Sequence, residues 1–102
     1  MPTRVIVIGL GPIGSAVARQ LLARRNFRLV AAADIDPAKA GRDLGDVLGG
    51  GRRIGIKVQG DVALAIRKAR PQVAVLCTSS SLKGLWPQLQ AVLRLGIPVV
   101  ST

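Results

Sequence analysis

The chain has 102 residues, 49% of them hydrophobic, and its aromatics are Phe27 and Trp86, so it can build one modest aliphatic core. Fifteen Lys and Arg against five Asp and no Glu give a formal charge of +10, a balance that invites phosphate or nucleic-acid partners. With no His, no Tyr and Cys77 as its one cysteine, the chain excludes a Ser–His–Asp or Cys–His site, a His-based metal centre and an internal disulfide.

Arg4 to Ile8 is a β-branched run ending at Gly9, which predicts a strand buried on both faces. Residues 13–25 place Ile13, Val17 and Leu21 at four-residue spacing with Ala16 between them, which predicts a helix with that face inward. Phe27 to Ala33 reads as a second strand closed by Asp34. Asp36-Pro37 has the form of an N-cap followed by Pro at N1 and predicts a helix over Ala38 to Leu48, weakened by Gly41 and Gly45. Residues 49–53 form a glycine-arginine loop, expected to be solvated and mobile, and Ile54 to Val58 reads as a third strand. Asp61 caps a helix through Ala69 that Pro71 ends, and Val73 to Cys77 is a fourth strand. After the polar loop Thr78 to Ser81, a helix is predicted from about Trp86 to Leu95, stopped by Gly96, and Ile97 to Val100 begins a fifth strand.

Alternation of strands and helices implies an α/β fold: a doubly wound parallel sheet of about five strands in the order 3-2-1-4-5, with helices on both faces. Residues 1–102 then form a single domain, expected to be a fragment because stopping at the end of a strand leaves an exposed sheet edge. Every apolar run is shorter than the ~18–20 residues that span a bilayer, and Met1 to Gly9 lacks the features of a secretion signal. A cytoplasmic protein with no membrane partner is expected.

Gly9-Leu10-Gly11-Pro12-Ile13-Gly14 is a GxGxxG that leaves strand one and opens helix one. Gly9 permits the turn, Gly11 lets a pyrophosphate approach the backbone, and Gly14 lets the helix pack closely on the strands. Bare N–H groups at the helix start would hold the phosphates. Asp34 lies twenty residues after Gly14, where a carboxylate accepts the adenosine ribose hydroxyls and repels a 2′-phosphate. NAD is therefore the expected cofactor, with NADP left open by Lys39 and Arg42 on the following segment. Asp36 is read as a cap, Cys77 as a buried small hydrophobe. Thr78 and Ser79 follow strand four at the same edge, where they could touch the cofactor, and Ser101 and Thr102 end strand five there. Nucleic acid is not expected as a partner, because no recognition motif exists, aromatics are almost absent and the Arg residues, spread over several predicted helices and loops, form no single stripe.

The runs VIVIGLGPIGSAVARQLL, DIDPAKAGRDLGDVLG and VAVLCTSSSLKGLWPQLQAVLRLGIPVVST resemble the amino-terminal domain of dihydrodipicolinate reductase-like proteins, nearest the branch with 2,4-diaminopentanoate dehydrogenases. The resemblance implies a two-domain, oligomeric NAD(P)-dependent oxidoreductase acting on a small amino-acid-derived substrate, by imine reduction or amine oxidation. It places Gly9, Gly11, Pro12, Ile13 and Gly14 at the pyrophosphate and Asp34 at the ribose. It places Thr78, Ser79 and Thr102 near the rest of the cofactor. Catalytic groups and oligomer contacts would lie in the second domain, so the chain alone is expected to bind nucleotide without catalysis. The alternative is a stand-alone regulatory or ligand-sensing nucleotide domain.

Overall fold

In the computed structural model, residues 2–77, 90 and 92–101 are described. The first strand, β1 (Thr3–Ile8), is fully buried from Val5 to Ile8, as a central parallel strand of β-branched residues should be. Helix α1 (Pro12–Ala23) returns the chain to β2 (Phe27–Ala33). Short α2 (Leu44–Leu48) and α3 (Val62–Ala69) precede β3 (Val73–Leu76), and β4 (Val99–Ser101) closes the sheet. All pairings are parallel, in the order β2-β1-β3-β4.

The two faces of β1 feed two cores. Ile6 and Ile8 pack with Val62, Ala65 and Ile66 of α3 and with Val92, while Val7 packs with Ala18 of α1 and Leu44 and Leu48 of α2. Helices therefore cover both sides, the doubly wound arrangement expected from the alternation. The last helix is seen only at residues 90 and 92–94; its predicted start at Trp86 lies outside the described residues.

Three expectations need correction. The sheet has four strands among the described residues rather than five, because Ile54 to Val58 does not form a strand along β2. Residues 56–58 are instead drawn antiparallel onto 41–44: Leu44 N–H donates to Ile56 O (2.7 Å), Val58 N–H to Arg42 O (2.8 Å) and Gly41 N–H to Val58 O (2.8 Å). Only Gln59 reaches β2, by a parallel bridge to Ala33. The position beyond β2 is thus occupied as expected, but by a single bridge.

The same pairing shortens the helix predicted over Ala38 to Leu48. Gly41 sits at φ 87° and Asp43 is extended, so only Leu44–Leu48 is helical, and Asp36 caps a turn through Ala38 N–H (2.9 Å). Finally, the inward face of α1 is Gly14, Ser15 and Ala18, with Val17 and Leu21 at its margin; Ile13 is 56% exposed. Small residues win this face because α1 lies too close to the sheet for branched ones. The loop 49–53 is exposed throughout, and Asp43 ties together the residues on either side of it, its carboxylate accepting N–H groups from Gly45, Ile54 and Gly55 at 2.8–2.9 Å.

Candidate functional site

Register builds the site. Ile8 pairs with Ala33 on one side and Leu76 on the other, so Gly9, Asp34 and Cys77 leave the sheet side by side at its carboxyl edge. Gly9 N–H donates to Ala33 O and Cys77 N–H to Ile8 O, each at 2.8 Å, which extends both ladders by one rung. Cys77 is buried, as expected of a small hydrophobe.

Each motif glycine has its own geometry. Gly9 turns the chain at φ 95°, a conformation that favours glycine. A Cβ on Gly14 would lie 1.7 Å from Gly9 O, so the helix can approach the turn this closely only without a side chain. Gly11 is different: a Cβ there would meet nothing within 4 Å, and its φ of −71° is ordinary. Nothing in the fold demands glycine at 11. The space its missing side chain leaves opens outward, over the start of α1.

That helix start is bare. Gly11 is the N-cap, no side chain caps it, and the first turn contains no acid. Pro12 has no N–H to satisfy, and no acceptor within the described residues takes the N–H groups of Gly11, Ile13 or Gly14. Unpaired donors at the positive end of a twelve-residue helix form an anion cradle. Ile13 and Pro12 stand exposed at its rim.

The peptide of Leu10 holds the cradle in place. Its N–H donates to Asp34 Oδ2 at 2.7 Å, and its carbonyl accepts Ser15 Oγ at 3.1 Å and Lys39 Nζ at 3.0 Å. The Leu10 side chain is 2% exposed and anchors the turn in the core. Asp34 Oδ1 accepts the N–H of Asp36 at 2.9 Å, and Lys39 Nζ lies 3.8 Å from Asp34 Oδ2. The carboxylate is thus fixed beside the glycine turn, partly neutralised, with lone pairs left on both oxygens.

Sequence reasoning brought Gly9, Gly11, Pro12, Ile13, Gly14 and Asp34 to this edge, and the structure assembles them there. Lys39, which left NADP open in the sequence, stands beside Asp34 and on the Leu10 carbonyl, and Leu10 and Ser15 act as braces that the motif did not announce. A buried Leu inside a glycine turn was the available signal for Leu10. Arg42 is exposed and makes no side-chain contact at the turn. Thr78, Ser79 and Thr102 lie outside the described residues. No group of three or more metal-ligating side chains occurs among the described residues, and none of their helices is long and apolar enough to cross a membrane.

A parallel sheet with helices on both faces and a glycine turn at its carboxyl edge defines a Rossmann-type α/β domain. More particularly, the chain belongs to the CoA binding domain family, whose model matches residues 1–82. No curated protein sequence matches it. Among solved structures, an amine dehydrogenase from Mycobacterium smegmatis is 35% identical over 99% of this chain, with a TM-score of 0.86. This chain spans 30% of that protein's length. A UDP-D-quinovosamine 4-dehydrogenase from Vibrio fischeri (19% identity, TM-score 0.74, 99% of this chain and 78% of that one) shares the fold. So does RSP, a Rex-family repressor (21% identity, TM-score 0.74, 98% of this chain and 44% of that one).

Proposed function

We infer that this chain is the nicotinamide-dinucleotide-binding part of a cytoplasmic NAD-dependent oxidoreductase, of the dihydrodipicolinate reductase-like kind, that works on an amine or imine of a small amino-acid-derived substrate. The observation that carries the reading is the pairing of an open anion cradle at Gly11 with a carboxylate fixed beside it. Gly9, Gly11, Pro12, Ile13 and Gly14 would surround the pyrophosphate, which the N–H groups of Gly11, Ile13 and Gly14, left unused by the fold, would hold. Asp34 would accept the adenosine ribose hydroxyls, and Thr78, Ser79 and Thr102 would complete the cofactor's surroundings.

The amine-directed reading is supported by the 35% identity with an amine dehydrogenase and by the dehydrogenase segments quoted above. The nicotinamide, when bound, supplies the hydride chemistry. The residues of this chain bind and orient it, and the substrate-handling and oligomer-forming groups belong to the rest of a longer protein. A scyllo-inositol dehydrogenase from Lactobacillus casei solved with NAD(H) and RSP solved with NADH both use this fold for the same cofactor, which supports the choice.

Coenzyme A is the second reading, favoured by the family match over residues 1–82. It shares the adenosine pyrophosphate with NAD but carries a phosphate on the ribose. A carboxylate fixed at the ribose end repels that group, while Lys39 at 3.8 Å only partly offsets it. Calorimetric titration of the chain with NADH, NADPH and coenzyme A separates the readings. NADH should bind most tightly. Failure to bind it at about 1 mM, equivalent to about −4 kcal/mol, or tighter binding of coenzyme A, would overturn the inference.

A further inference from the structure

The arginines scattered along the sequence are gathered by the fold. Taken in the spatial order β2-β1-β3-β4, each strand is entered through or a few residues after an arginine. Arg28 and Arg4 are the second residues of β2 and β1 and are register partners on adjacent strands. Arg70 caps α3 just ahead of β3, and Arg94 precedes β4. Arg24 and Arg25 flank the row where α1 ends, and Arg67 and Lys68 where α3 ends; all eight cations are exposed.

No side-chain carboxylate answers them. The five Asp lie between residues 34 and 61, in the turn after β2 or at the starts of α2 and α3. The ion pair found among the described residues, Lys39 with Asp34, belongs to the opposite edge. Arg4 Nε donates instead to the carbonyl of Arg70 at 3.0 Å, so one cation of the row is held against the backbone of the next. Helix dipoles account for little of this charge: the carboxyl ends of α1 and α3 contribute about half a negative charge each. Like charges on register partners destabilise a sheet unless something neutralises them.

We propose that this amino-terminal edge binds the phosphate backbone of a nucleic-acid duplex, without reading its sequence. Neighbouring strands lie about 4.8 Å apart, so the four strand starts that these arginines precede or open span about 14 Å. One strand of a duplex presents a phosphate every ~3.4 Å of its axis, so the row faces about four phosphates. Arginine supplies seven of the eight cations, and its planar fork matches phosphate oxygens where a lysine offers a point charge. Among the described residues the aromatic on this edge is Phe27 at the start of β2, which is half-buried, so the contact rests on phosphates rather than on stacked bases. Arg4 is five residue steps from Gly9 along β1, so the duplex would lie about 17 Å from the glycine turn and leave it open.

Fluorescence anisotropy of a labelled mixed-sequence DNA duplex tests the proposal on the full chain. Four phosphate contacts predict a slope of log K against log salt near −3.6, or about 150-fold weaker binding from 50 to 200 mM salt. R24E/R25E/R28E should weaken binding at least tenfold, whereas R42E/R52E/K57E, an equal charge change elsewhere, should leave it within about threefold. Melting curves by circular dichroism establish that each variant folds, and the milder R25A/R28A serves if charge reversal does not. No anisotropy change at 50 mM salt, equal losses in both triple variants, or tighter binding to phosphatidylglycerol vesicles than to the duplex would overturn it.

Discussion

Alanine at Gly14 and alanine at Gly11 should have opposite consequences, although both residues belong to one motif. At Gly14 the new Cβ would sit 1.7 Å from Gly9 O, against an ordinary contact of 3.4–4 Å, with Cys77 Cβ at 3.2 Å on another side. The obstruction is backbone, and Gly9 is committed to a φ of 95°, so relief requires α1 to move off the sheet by more than an ångström. Overpacking of this kind costs about 3 kcal/mol or somewhat more. For a domain of this size that lowers the melting temperature by roughly 12–24 °C. At Gly11 the methyl meets nothing and the backbone already suits alanine. Lower unfolded-state entropy and the loss of a favourable N-cap residue roughly cancel, leaving stability within about 1 kcal/mol of the parent. The methyl would, however, fill the place where a pyrophosphate must approach, and NADH binding should weaken at least tenfold, or about 1.4 kcal/mol. Thermal melting and NADH titration of G11A and G14A check both halves. A G14A protein as stable as the parent, or a G11A protein that binds NADH undiminished, would refute the assignment of roles.

Other substitutions probe the neighbours. Asp34→Asn keeps the shape but removes the charge that would hold the ribose hydroxyls, so NADH affinity should fall about 10- to 150-fold, the worth of hydrogen bonds to a charged group. Unchanged affinity would place the nucleotide elsewhere. Lys39→Ala removes the ammonium beside Asp34, so the ratio of NADH to NADPH affinity should rise; a fall would contradict the electrostatic account. Asp43 is held below its ordinary pKa of 3.8 chiefly by the N–H of Ile54; partial desolvation opposes this, and the N–H groups of Gly45 and Gly55 and the charge of Arg53 reinforce it. A lowered folded pKa means stability present above pH 3.8 and lost as pH falls through the folded value. Asp43→Asn should therefore melt at lower temperature at pH 7, and the difference from the parent should shrink on acidification. A constant difference down to pH 2 would refute it.

Legibility followed locality. β2 was readable to the residue as Phe27–Ala33, and Asp61 as the cap of α3 is borne out by Leu64 N–H donating to its carboxylate at 3.2 Å. These features depend on neighbours within one turn or one strand. The third strand and the second helix were misread together, because each depends on the other: Leu44, Arg42 and Gly41 bond to Ile56 and Val58 across a dozen or more residues. Ile13 was misplaced because four-residue spacing marks a helical stripe without saying how close the sheet lies. At contact that excludes even a methyl from Gly14, the inward positions go to Gly, Ser and Ala.

The sequence by itself determined the class of fold and where its ligand edge would be, since strand-helix alternation and a glycine turn after β1 leave one chirality and one crevice. Tertiary structure alone decided what stands beside that crevice and opposite it. It brought Lys39 and Ser15 onto the carbonyl of Leu10, and it set Arg28 beside Arg4 and Arg4 against the carbonyl of Arg70 at the other edge. Charge is additive along a sequence, but its field depends on position. Parallel strands place all their beginnings at one edge and all their endings at the other, and thereby turn a dispersed set of arginines into a row.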